Sequence, residues 1–272
     1  MRRCAALLFL TSACYAAPNA AEIMARVAQN QDRAEKGRAR YVYSQTTAIR
    51  IRDTHNRLTR EELTKYEMFP GPDGTQRKEV FFTGKYRQGK QLLPYAKSGE
   101  PMIKDSRSQA DAHMAHNLRD QLTATKRGKD GLSPHLFPLT SREQTHYDFQ
   151  LKGELVIGSI PVYSIAFQPK KGEELWAGEA LISRQDFEPV QVSTKLAHGV
   201  PFLVRTMLGT NLRGLGFTVS YRKLDDGIWF PASYGTEFDV RVVFVYSRKI
   251  SISLINTDFK RTESDTSITF EK

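Results

Sequence analysis

Beyond residue 14 the chain contains no cysteine, because Cys4 and Cys14 are the only two it has. The body of the protein therefore has neither a disulfide nor a thiol nucleophile, and its stability must come from a packed core. Long apolar runs are missing too: none approaches the about 18 consecutive residues of a membrane-spanning helix. Catalytic signatures are equally absent. There is no Gly-x-Ser-x-Gly elbow for a serine nucleophile and no His-Glu-x-x-His for a zinc peptidase. The glycines Gly209, Gly214 and Gly216 are not followed by the Gly-Lys-Ser/Thr of a phosphate loop, so they read as a wide turn. Neighbouring acids such as Glu61-Glu62, Glu173-Glu174 and Asp225-Asp226 would point to opposite sides of an extended chain, which disqualifies them as acid/base pairs. The expectation is a non-enzymatic protein without a cofactor.

What is present starts at the N-terminus. Arg2-Arg3, an uncharged stretch from Cys4 to Leu10 and a run of small residues through Ala17 make a basic, apolar and cleavable leader. Residues 1–17 are thus expected to be a signal peptide, with export to the periplasm or envelope. Leu10-Thr11-Ser12-Ala13-Cys14 loosely resembles a lipobox, which makes Cys14 the candidate lipidation site. Ordinary cleavage near Ala16, Ala17 or Ala20 is the alternative.

The 272 residues, 40% of them hydrophobic, suffice for one large domain, expected over residues 18–261 with a polar tail over 262–272. The formal charge of +10 permits attraction to anionic lipid headgroups. Export and the lack of a recognition motif argue against nucleic acid.

Periodicity divides the chain into helices and strands. Ile23, Met24, Val27 and Ala28 form a helical stripe over residues 21–36, with Asn19 as N-cap and Gly37 as C-cap. At residue 41 the period switches to two. Tyr41, Tyr43, Gln45, Thr47, Ile49 and Ile51 share one face of a strand over 41–52, followed by strands over 58–69 and 77–82 around the turn at Pro70-Gly71-Pro72-Asp73-Gly74. Residues 85–104 are irregular. Ala110, Met114, Leu118 and Leu122 then mark a second helix over 106–122, and residues 123–142 form an exposed connection.

The second half is strand after strand: 149–157, 160–167, 200–207, 216–223, 228–238 and 240–256, arranged around a hairpin in residues 175–192. With no helix interleaved, the sheet is antiparallel and meandering. Phe217, Val219 and Tyr221 lie on one strand face. Val240, Val242, Phe244 and Tyr246 oppose Arg241, Val243 and Val245, so that strand is apolar on both sides.

His113 and His116 sit three apart on the second helix near Asp111 and Asp120, which makes a one-face metal site geometrically conceivable. No third ligand is supplied by any motif, and a solvated helix face is the better reading. No metal is expected. Basic residues gather in turns and helix ends: Arg33, Lys36, Arg38 and Arg40, then Lys85, Arg87 and Lys90, then Lys126, Arg127, Lys129, Lys170 and Lys171. Gathered at one rim, they would steer the protein to anionic membranes or acidic partners.

The order of leader, amphipathic helix, three long strands, helical insertion and meander carries two short patterns. These are Gly178-Glu179-Ala180-Leu181-Ile182-Ser183 and Asp226-Gly227-Ile228-Trp229-Phe230-Pro231. Together they resemble the LolA-like superfamily of periplasmic lipoprotein carriers over nearly the whole body. Gly178 and Ile182 match the superfamily's hairpin, while Ser183 stands where an aspartate is usual. The resemblance implies a mainly β fold, a curved, incompletely closed antiparallel β-barrel whose concave face is covered by an N-terminal helix and a helical insertion. It also implies a lipid or the acyl chains of a lipoprotein as partner, held in an apolar cavity for transport or sensing, with an envelope protein as a further partner. Trp176, Phe187, Phe217, Trp229, Phe230 and Phe244 are the candidate cavity-lining aromatics. The alternative is a scaffolding envelope protein with no lipid cavity that binds its partner through a sheet edge.

Overall fold

The computed structural model describes residues 18–71, 74–99, 103–124, 137–171, 176–196, 211–213, 215–242 and 246–262. Helix α1 (Ala20–Arg38) opens with a capping box in which the Asn19 side chain accepts from the Glu22 amide while the Glu22 carboxylate accepts from the Asn19 amide. Glu22 in its first turn and Lys36 and Arg38 in its last complement the helix dipole. Its stripe of Ile23, Met24, Val27 and Ala28 is buried, as the spacing requires.

The strands are β1 (Tyr41–Arg52), β2 (Leu58–Gly71), β3 (Gly74–Gln88), β4 (Gln91–Tyr95), β5 (Tyr147–Ile157), β6 (Ile160–Pro169), β7 (Trp176–Ser183), β8 (Pro189–Leu196), β9 (Asn211–Arg213), β10 (Gly216–Lys223), β11 (Trp229–Val242) and β12 (Tyr246–Arg261). Helices α2 (Ser106–Ala124) and the short α3 (Ser141–Gln144) fall between β4 and β5. All neighbouring strands pair antiparallel, in the order β4-β3-β2-β1-β12-β11-β10-β8-β7-β6-β5, and β9 pairs with β11 beyond the end of β10. The sheet is open: β4 and β5 are its two edges.

Several boundaries depart from the periodic pattern. Residues 85–104 contain the end of β3 and the edge strand β4, because Gly84 admits the Tyr95 ring directly over its backbone. The break expected at Asp239 does not occur, since Asp239 pairs with Lys249 in mid-ladder and β11 runs on to Val242. The strand expected over 200–207 lies outside the described residues. Gly178 of the hairpin motif has a packing reason. A Cβ there would stand 2.0 Å from the Ser193 carbonyl oxygen and 2.7 Å from Phe167 Cζ, so the backbones of β7 and β8 can approach only over a glycine.

Both helices cover one face of the sheet. α1 sets Ile23, Met24 and Val27 against Val162, Ile165, Phe167, Ile182, Val192, Phe217, Val219 and Trp229. Ala115 and Leu118 of α2 pack on Ile49, Ile51, Phe238, Val240, Ile250 and Ile252. Tyr234 borders both clusters, which puts the two helices on the same side. A third cluster joins Tyr41, Tyr43, Tyr66, Met68 and Phe230. Among the described residues no helix is long and apolar enough to cross a membrane.

Candidate apolar site under the first helix

The floor beneath α1 is aromatic because β-strand alternation sends every second side chain of β6, β7, β8 and β10 to the same face. Trp176 lies 4.2 Å from Phe217, ring centre to ring centre, and Phe217 in turn meets Tyr234 at 5.7 Å and Phe137 at 6.2 Å. Phe187 meets Tyr163 at 6.2 Å and carries the Arg26 guanidinium over its face at 4.6 Å.

Polar bonds hold α1 at the rim of this floor. Asn30 donates its side-chain amide to the carbonyl oxygens of Asp186 at 2.8 Å and Phe187 at 3.1 Å. Gln31 donates to the Glu188 carboxylate and accepts from Arg38 at 3.0 Å, while Arg38 Nε donates to the Trp229 carbonyl at 2.8 Å. Trp229 Nε1 donates to Asp186 at 3.3 Å. On the opposite flank Gln144 of α3 donates to the Met24 carbonyl at 2.8 Å, and the Ser141 hydroxyl to Asp32 at 2.5 Å. The turn from β7 to β8 thus grips the helix along residues 26–31, and β11 holds it at Arg38.

Two features of that turn carry strain or charge. Phe187 has φ +52, the left-handed region that a side chain disfavours. Burial pushes the Glu188 carboxyl up to about 7, against the attraction of Arg38 and the Gln31 hydrogen bond.

The structure brings four of the aromatic candidates together: Phe217 and Trp229 inside the α1 cluster, Trp176 and Phe187 packed against it. Phe230 goes elsewhere. As the next residue along β11 it projects away from Trp229 and meets Tyr43 edge-to-face at 5.1 Å in the third cluster. Phe244 and Cys14 lie outside the described residues.

A different kind of site, which periodicity did not reveal, lies under α2. Glu62 on β2 is 2% exposed and accepts from Arg60 Nε at 3.1 Å, the Tyr95 hydroxyl at 2.7 Å and Arg119 at 2.7 Å. Beside it is a cavity of about 10 Å³, lined by Thr47, Ile49, Glu62, Thr64, Tyr66, Arg77, Arg119 and Leu122. That is room for about one water. Asp111, near the histidines in sequence, is buried and accepts from Arg248 and the Tyr246 hydroxyl, both at 2.7 Å. His116 and Asp120 pair at 3.2 Å on the exposed side of the helix, and no group of three metal-ligating side chains occurs among the described residues. Glu61 faces away from Glu62 and pairs with Arg50 at 2.6 Å, the divergence expected of strand neighbours.

No family model matches the chain, and no curated protein matches it. Solved structures do. A LolA superfamily protein from Nitrosomonas europaea is 14% identical, covering 91% of this chain and 96% of that one at a TM-score of 0.37. A DUF1329 family protein from Desulfovibrio piger is also 14% identical, covering 92% of this chain and 96% of that one at 0.40. A domain from Vibrio parahaemolyticus named for outer membrane lipoprotein sorting is 11% identical, covering 87% and 91% at 0.40.

Proposed function

We propose that the protein is a non-enzymatic lipid- or lipoprotein-binding protein of the bacterial cell envelope, a carrier or sensor that admits an acyl chain between α1 and the aromatic floor of the sheet. The observation that carries this reading is the division of labour under α1. The side chains of Ile23, Met24 and Val27 lie in an apolar cluster, while the polar bonds of Asn30, Gln31 and Arg38 lie further along the helix and Gln144 donates to the Met24 backbone. An acyl chain entering there exchanges one apolar partner for another. Each methylene it buries contributes about 0.8 kcal/mol, so displacing the helix stripe is offset by burying the ligand. The leader-like residues 1–17 support the envelope location.

Both tryptophans of the chain border this floor, which supplies the test. Titration with a brominated fatty acid should quench Trp176 and Trp229 fluorescence saturably, and Trp176→Phe and Trp229→Phe variants should each retain part of the quenching. Native mass spectrometry of the purified protein should show copurifying lipid. No quenching together with no copurifying lipid would overturn the reading and leave a scaffold that binds through the β4 edge.

A further inference from the structure

The outermost hairpin of the sheet, β5 to β6, ends in a tip that none of the described residues covers. Residues 155–169 contain no charged side chain. At the tip Val156 is 61% exposed and Leu155 and Ile157 are each 38% exposed, the most exposed run of large apolar side chains among the described residues. Val156 pairs with Pro161 and Ile157 with Ile160 across a two-residue Gly158-Ser159 loop, Gly158 supplying the positive φ of +61 that the turn needs.

The tip is apolar on both faces. Val156 and Pro161 project to one side, Leu155, Ile157 and Ile160 to the other. A protein partner docked on one face would leave the second in water, whereas the apolar part of a bilayer surface surrounds both. Strand addition at this edge is obstructed by the bulge between Leu151 and Gly153, a device that interrupts the ladder a partner strand would need.

Behind the tip stands a collar of arginines. The Arg184 amide donates to the Pro161 carbonyl at 3.0 Å, and its guanidinium pairs with Glu154 at 2.7 Å and lies over Tyr163 at 5.5 Å. Arg26 reaches the same aromatic group through Phe187, and Lys152 is exposed on β5. From the Gly158-Ser159 loop back to Arg184 is two to three residues of strand, on the order of 10 Å at ~3.3 Å per residue. That span suits the ~5–10 Å to which apolar side chains enter a bilayer interface, with cations at headgroup level.

From this geometry we infer that the β5–β6 tip is a membrane-docking element, inserting Leu155, Val156 and Ile157 into an anionic bilayer surface while Arg184 and Arg26 meet the headgroups. The tip side chains Leu155, Val156 and Ile157 are not part of the apolar cluster under α1, so their insertion can fail or succeed independently of the function proposed above.

Vesicle flotation tests it. The protein should float with mixed phosphatidylcholine/phosphatidylglycerol vesicles, and the Val156→Asp/Ile157→Asp double variant should lose at least about tenfold in bound fraction. Phe81→Asp, which places the same charge at another exposed apolar position on β3, should float as wild type. The milder Val156→Thr/Ile157→Thr pair keeps the β-branching of the tip and should also bind less, with circular dichroism confirming an unchanged fold. Quenching by brominated fatty acid without vesicles should be the same in the double variant as in wild type. The inference is overturned if wild type does not float, if it floats equally on pure phosphatidylcholine, or if the double variant floats as well as wild type. A wild-type dimer dispersed by the double variant, without flotation, would overturn it in favour of self-association.

Discussion

Arg119 on α2 donates to the Glu62 carboxylate on β2 at 2.7 Å, at a place where Glu62 is only 2% exposed. Arg60 and Tyr95 donate to the other oxygen of the same carboxylate, so α2, β2 and β4 converge on one anion. Removing it leaves the guanidinium groups of Arg60 and Arg119 without their carboxylate in a largely buried site. Glu62→Ala should destabilise the protein by about 3–5 kcal/mol. Tyr95→Phe removes one hydrogen bond and should lose only about 1–3 kcal/mol. Urea unfolding reads both values. A loss under about 1 kcal/mol in Glu62→Ala would show that the pair is no anchor for α2.

This network also marks where sequence reading stops. The strand Tyr41–Arg52 and its inward set of Tyr41, Tyr43, Gln45, Thr47, Ile49 and Ile51 follow directly from the period of two, and all six are buried. The stripe of α1 and the trio Phe217, Val219 and Tyr221 are equally plain. On β2, however, the inward residues are Arg60, Glu62, Thr64, Tyr66 and Met68. Arg60 and Glu62 read as solvent-facing, because a buried ion pair has the composition of an exposed one. Its partner Arg119 is 57 residues away, beyond any local pattern. Trp229 and Phe230 show a second limit. Adjacency made both look like lining of one cavity, yet the pleat sends them to different clusters. The edge strand β4 was hidden because Pro94 weakens its strand pattern while the Tyr95–Gly84 contact that seats it is tertiary.

Phe187 holds its ring between Arg26 and Tyr163 at the expense of a left-handed backbone, φ +52. Two substitutions separate these opposing terms. Phe187→Ala loses the ring and keeps the strained backbone, whereas Phe187→Gly loses the ring and relieves the strain. The glycine variant should therefore be the more stable of the two by about 1 kcal/mol, the reverse of their order in an ordinary strand. Thermal unfolding of the pair decides it. An alanine variant at least as stable as the glycine one would mean that the turn from β7 to β8 relaxes out of the left-handed region once the ring is gone.

Glu188 gives the grip on α1 a pH dependence of unusual sign. Its carboxyl titrates near 4.5 when unfolded and about 7 in the fold, chiefly because burial penalises the charged form. Between these values the folded state binds more protons than the unfolded chain, so this group's contribution to stability falls as pH rises, by up to about 1.4 kcal/mol per pH unit. The penalty is absent below pH 4.5 and complete above about pH 7, the opposite of an ion-paired carboxylate with a depressed pKa. Glu188→Gln keeps an acceptor for the Gln31 amide and removes the titration. The variant should match wild type at pH 4 and exceed its stability by about 1 kcal/mol or more at pH 8, with the difference opening between pH 5 and 7. Urea unfolding of both proteins across that range measures it. A variant less stable than wild type at pH 8 would mean that the attraction of Arg38 for the ionised carboxylate outweighs its burial, and that α1 is held more tightly, not less, when Glu188 is charged.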